Sequence, residues 1–124
     1  VINIKFSISI PTYNSAHKRY VMGDTPVYTD LVGAFAEIQT TLESEIVRGS
    51  DGDRPIRYRL LFQRLPALDD IRVGSIIEVT HKRHPVTNSW VKQSVIAQYI
   101  IQSETDVQFI GNEINLGLVR KDQQ

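Results

Sequence analysis

The sequence predicts an all-β fold: a small antiparallel β-barrel or sandwich with long loops and little helix. Three observations carry this prediction. Ile2, Ile4, Phe6, Ile8 and Ile10 alternate with Asn3, Lys5, Ser7 and Ser9, a period of two that puts the large apolar groups on one face of a strand. Ile56, Tyr58, Leu60 and Phe62 repeat the pattern against Arg57, Arg59, Leu61 and Gln63. Further short runs rich in Val, Ile and Tyr follow, divided by Gly, Pro, Asn and Asp, the punctuation of a small all-β domain.

The elements follow in chain order. Pro11 lacks a backbone donor and ends the first strand. Residues 12–24 are polar and aromatic without a period, which predicts an extended loop, with a turn at Gly23, Asp24 and Pro26. Residues 28–47 fit two patterns. Leu31, Phe35, Ile38, Leu42 and Ile46 make a helical stripe, while Ala34, Ala36, Ile38, Thr40 and Leu42 make a strand face. Gly33 and the pair Thr40-Thr41 weigh mildly against helix, and pattern alone leaves both open.

Gly49, Ser50, Asp51, Gly52 and Asp53 form a polar connection with strong turn chemistry. The strand that begins at Ile56 is broken by Pro66 and Asp69-Asp70. Ile76 to Thr80 predicts a short strand, residues 81–89 a hairpin loop, and Trp90 to Ile101 a strand long enough to bend. After a polar break at 103–106, residues 107–110 and 114–119 predict a last hairpin around Gly111-Asn112, with a frayed tail from Arg120.

A chain of 124 residues, 41% hydrophobic, is expected to form a single domain, residues 1–124, around one small core. Without cysteine, disulfides, thiol catalysis and cysteine metal sites are excluded. Fourteen Lys and Arg balance fourteen Asp and Glu, so no global charge draws the chain to nucleic acid or anionic lipid. No apolar run approaches the roughly 20 residues of a membrane helix, and the alternating first ten residues do not resemble a signal peptide. No membrane contact is expected.

The motifs of catalysis are missing. Asp24-Thr25-Pro26 carries proline where an aspartic protease needs the glycine that brings two carboxylates together, so it predicts a turn. His81 and His84 flank Lys82 and Arg83, and two cations between two imidazoles oppose a divalent ion. Asp51-Gly52-Asp53 lacks the third acid and terminal Glu of a calcium loop. No phosphate-binding loop, dinucleotide fingerprint or nucleophile elbow occurs. The expectation is a protein that is not an enzyme and takes no cofactor or metal.

The basic positions Arg57, Arg59, His81, Lys82, Arg83 and His84 form a candidate interaction surface. With Trp90 as a platform, a small barrel of this kind matches the way single-stranded nucleic acid is held. Alternating solvated charges on strand faces explain the same residues without a ligand.

In order, the segments resemble the head-closure, or head–tail joining, proteins of tailed bacteriophages, also called stoppers or connectors. The likeness is carried by the opening strand INIKFSISIPTY, by Tyr28, Asp30, Ala36 and Ile38, by Ile56-Arg57-Tyr58-Arg59-Leu60, and by Ile71-Arg72-Val73-Gly74-Ser75-Ile76-Ile77. It covers roughly residues 2–80. Ser75 stands where that family more often has Asp, and Trp90-Val91 follows a turn without the usual glycine. The resemblance implies strand for about residues 33–42, and a structural virion protein of the phage neck. Such a protein forms a homo-oligomeric ring of six or twelve copies between portal or adaptor and tail. It retains packaged DNA, touches double-stranded DNA transiently in the channel, and docks the tail terminator or tail tube protein. Ser50, Asp51, Gly52 and Asp53 suit a lumen-facing or interface loop, since positive charge there would hold exiting DNA. The alternatives are an OB-like nucleic-acid-binding barrel and another tail-tube or tail-terminator protein.

Overall fold

The computed structural model describes residues 1–23, 26–38 and 56–121. Nine strands account for most of them: β1 (Ile2–Ser9), β2 (Thr12–Asn14), β3 (Arg19–Val21), β4 (Tyr28–Ile38), β5 (Arg57–Gln63), β6 (Ile76–Arg83), β7 (Trp90–Ile100), β8 (Val107–Ile110) and β9 (Glu113–Arg120). The only helical pieces among the described residues are two 3-10 turns, Pro66–Leu68 and Glu104–Asp106. The fold is all-β, as the sequence predicts.

The large sheet runs β5-β4-β1-β6-β7-β9-β8, and its ends meet because β5 also pairs with β9, from Arg57 opposite Val119 to Gln63 opposite Glu113. On its other edge β9 meets β7 at Tyr99–Arg120 and Ile100–Val119, then β8 from Val107–Leu116 to Ile110–Glu113. Strands β7 and β8 thus act as one interrupted stave. The result is a closed antiparallel barrel of six staves, which leaves few open ladder edges.

Alternation places the core. Ile4, Phe6, Ile8, Leu60, Ile77, Ile114, Leu116 and Leu118 are fully enclosed, and each sits on the inward phase of its strand. Phe6 meets Phe62 edge-on at 5.2 Å, and Phe35, Tyr58 and Tyr99 form a triangle of rings with centroids 5.0–5.2 Å apart. Gly33 faces inward where β1, β4 and β5 crowd: a Cβ there would lie 2.9 Å from both Leu60 Cδ1 and the Leu61 carbonyl oxygen. A bare backbone is what allows the Phe6 ring to fill that space.

Strand wins over helix for residues 28–38, because pairing with both β1 and β5 buries Phe35 and seats Gly33. The rest of the ambiguous segment lies outside the described residues. Residues 12–21 are not an extended loop but a short hairpin. Asn14 Oδ1 accepts from the backbone N–H groups of Ala16 and His17, Lys18 adopts a φ of 54°, and Tyr13 packs edge-on against Tyr20. Aperiodic polar composition hides a hairpin whose two faces are both wet. Strand β6 likewise runs three residues beyond Thr80, so the predicted loop 81–89 shrinks to its tip.

Candidate functional site

The six basic residues singled out from sequence divide into two groups on opposite sides of the barrel. Arg57 and Arg59 lie on β5, which is three staves from β6 in either direction around the closed order. His81, Lys82 and Arg83 lie on β6, and His84 begins the turn after it. The loop residues Ser50, Asp51, Gly52 and Asp53 lie outside the described residues.

On the β5 side, Arg57 is committed. Its Nη2 donates to Asp106 Oδ2 at 2.8 Å, with the carboxylate mostly buried. Gly117, paired with Arg59 across the β5–β9 ladder, makes this possible, since a Cβ on it would lie 2.8 Å from Asp106 Oδ1. A shallow groove of about 140 Å³ beside the pair is lined by Arg59, Thr105, Gln108 and Asn115. With Arg57 neutralised, it presents one exposed cation. That is a structural lock between β5 and the β7–β8 break more than a binding face.

On the other side, β6 and β7 form a ribbon that β1 flanks as far as Lys82 and that runs on alone at Arg83 and Trp90. Its register sets Arg83 opposite Trp90, Lys82 opposite Val91 and His81 opposite Lys92, and β1 adds Lys5 opposite His81. Cross-strand partners share a face. Lys5, His81 and Lys92 therefore form a row across three strands on the outside, since Ile4 and Phe6 on either side of Lys5 point inward. Arg83 and Trp90 extend this face, while Lys82 and Val91 turn to the other side of the ribbon by alternation. Trp90 binds the group together: Lys5 Nζ stands 5.0 Å and Arg83 Cζ 5.6 Å from its ring centre.

The turn is tightly specified. His84 Nδ1 accepts from the backbone N–H of Val86 at 3.1 Å and of Thr87 at 3.3 Å, and Arg83 Nε donates to the Asn88 carbonyl. Asn88 adopts a φ of 58°. His81 Nδ1 is 2.9 Å from Thr80 Oγ1. One nitrogen of each imidazole is therefore engaged locally, and among the described residues no group of three His, Asp or Glu side chains is placed to hold a metal ion.

Lys5 and Lys92 belong to this surface, and sequence reasoning missed both. Two signals point to them. Lys5 occupies the polar phase of the first strand, and between Glu78 and Glu104 the chain has no acidic residue at all. Neither of the two ion pairs among the described residues, Arg57–Asp106 and Arg64–Asp69, involves the ribbon. Beside the row, β7 bulges: Val79 pairs with Ala97 and His81 with Lys92, so residues 93–96 stand opposite Thr80 alone. This bulge leaves Val95 79% and Ile96 49% exposed.

A larger cleft of about 470 Å³ is lined by Tyr20, Ile71, Arg72, Val73, Glu104 and Val107. The Arg72 guanidinium stacks 4.2 Å over the Tyr20 ring, tying the β2–β3 hairpin to the segment before β6.

Fold and surface define a class: a small closed β-barrel whose prominent feature is a basic, partly apolar ribbon. No family model matches the chain, and no curated protein matches it. Among solved structures the chain is similar to that of the phage-like element PBSX protein xkdH from Bacillus subtilis. The two share 14% identity over 100% of this chain and 99% of that one, with a TM-score of 0.49.

Proposed function

We propose that this chain is a structural protein of a phage virion neck, a ring subunit between portal or adaptor and tail that retains packaged DNA and offers the tail its docking surface. The observation that carries the reading is the division between a closed barrel and the exposed apolar groups it holds out. Core side chains such as Phe6 and Leu116 are fully enclosed, whereas Val86, Val95, Ile96 and Ile110 are between 49% and 82% exposed at the hairpin tips and the β7 bulge. In this reading these exposed branched side chains are the groups that neighbouring proteins cover. A ring subunit needs two unlike adhesive faces and no reaction centre. The ordered segment resemblance, from INIKFSISIPTY to the Ile71–Ile77 stretch, supplies the neck assignment itself. In this reading the chain works in the virion, without enzymatic activity or cofactor. Its partners are further copies of itself, the portal or adaptor ring, a tail terminator or tail tube protein, and DNA in passing. Residues 50–53 belong to a loop facing the channel or a neighbour.

Loss of the gene tests this. Particles made without the chain are expected to be DNA-depleted heads and free, complete tails under the electron microscope. Intact tailed particles that keep their DNA contradict the proposal. A second reading, a nucleic-acid-binding barrel, is favoured by the basic ribbon alone.

A further inference from the structure

We infer that the outer face of the β6–β7 ribbon binds the phosphate backbone of double-stranded DNA, with Lys5, Arg83 and Lys92 as the contacting cations. The inference rests on the reading above only in that packaged DNA runs close to the chain; the surface stands on its own geometry.

Three features converge on a polyphosphate. First, the cations are arrayed. Lys5, His81 and Lys92 lie on successive strands, so the Lys5 and Lys92 backbones are about 10 Å apart, two strand spacings. Second, no ion pair among the described residues closes on the array, although Glu78 stands opposite Ser7 on the same side of β1 as Lys5. Like charges on neighbouring strands repel, and neither ion pair among the described residues reaches this face. The nearest acid along β6, Glu78, accepts a hydrogen bond from Gln98 Nε2 at 3.0 Å. Cations crowded together without an ion pair gain from an anion brought in from outside.

Third, Trp90 holds two of the cations in place. Single strands are held by bases stacking on open aromatic faces. Here the indole already carries Lys5 and Arg83, each contact worth about 0.5–1 kcal/mol at an exposed site. The ring therefore positions two cations, and the test below separates this role from base stacking. Phosphate contacts need only such fixed charges and read no sequence. The duplex, with its regular and dense phosphates, is the matching ligand. An acidic protein surface would engage the same cations and is separated by the test.

The test uses the purified full chain and fluorescence anisotropy with a 30-base-pair duplex (about three helical turns), the matching oligo-dT, and polyglutamate. Three phosphate contacts predict that duplex affinity falls about 40-fold between 50 and 200 mM salt. Lys92→Gln and Lys5→Gln are each expected to weaken binding and to reduce the salt slope by about 0.9. Arg59→Gln, on the opposite side of the barrel, leaves both unchanged. Unchanged thermal unfolding of each variant shows that the fold is retained. Absence of duplex binding at 50 mM salt, or a Lys92→Gln variant that binds like the parent, overturns the inference. So does tighter binding of oligo-dT that Trp90→Ala abolishes, which would mean base stacking. Binding to polyglutamate as tight as to duplex assigns the face to an acidic protein and also overturns it. None of these outcomes depends on a neck protein, so failure here is distinct from failure of the neck assignment.

Discussion

Gly33→Ala is a one-carbon change whose effect the barrel geometry fixes in sign. The new Cβ would lie 2.9 Å from Leu60 Cδ1, 2.9 Å from the Leu61 carbonyl oxygen and 3.1 Å from Phe6 Cε1. The leucine methyl can rotate away, but the carbonyl is part of the β4–β5 ladder, and Phe6 is packed edge-on against Phe62. Relief therefore requires backbone movement in a close-packed core, typically about 1–3 kcal/mol. Alanine recovers about 0.4–1 kcal/mol by restricting the unfolded chain. The net expectation is about 1–2 kcal/mol of destabilisation. At roughly 4 °C per kcal/mol for a domain of this size, the melting temperature falls by about 4–8 °C. Thermal unfolding followed by circular dichroism measures it. Gly23→Ala is the control, because no heavy atom lies within 4 Å of a Cβ there, and it should leave stability unchanged or raise it by up to about 1 kcal/mol. Equal melting temperatures for the two variants would refute the crowding at the β1–β4–β5 junction.

Three further changes are expected to behave as follows. Phe6→Ala empties a fully enclosed site and costs about 3–5 kcal/mol in chemical denaturation, enough to threaten folding. A double-mutant cycle on Arg57→Met and Asp106→Asn should return a coupling of about 0.5–1 kcal/mol, small because Arg57 is 37% exposed. A coupling near zero would demote the pair to a surface contact. Val95→Asp leaves the unfolding free energy within about 0.5 kcal/mol of the parent, since the side chain is 79% exposed, but removes capture of protein partners. Retained capture would exclude the β7 bulge as a contact face.

Much of the barrel was legible: β1 and β5 from a period of two, the long β7 from its Val, Ile and Tyr content, and the closing hairpin from Gly111-Asn112 between two apolar runs. Strand β4 was not, because Leu31, Gly33 and Phe35 face inward beside small alanines that suit either period. The β2–β3 hairpin escaped because its pairing depends on an Asn14 turn and a Tyr13–Tyr20 contact, with no buried face to leave a pattern. The basic surface was half legible. His81, Lys82 and Arg83 stand out as a run, but Lys5 joins them only through strand pairing from a position 76 residues away from His81. Conversely, Arg57 and Arg59 look equivalent to that run in sequence, and closure through β5–β9 sets them on the far side.

The neck assignment is tested most directly by what the chain holds in its native source. A tagged copy, recovered and washed through rising salt, is read by mass spectrometry and by the ratio of absorbance at 260 and 280 nm (nucleic acid against protein). The account predicts portal, adaptor or tail proteins that survive high salt, through contacts that are partly apolar and so weakly screened. Nucleic acid alone, shed at moderate salt with no protein partner, would contradict it.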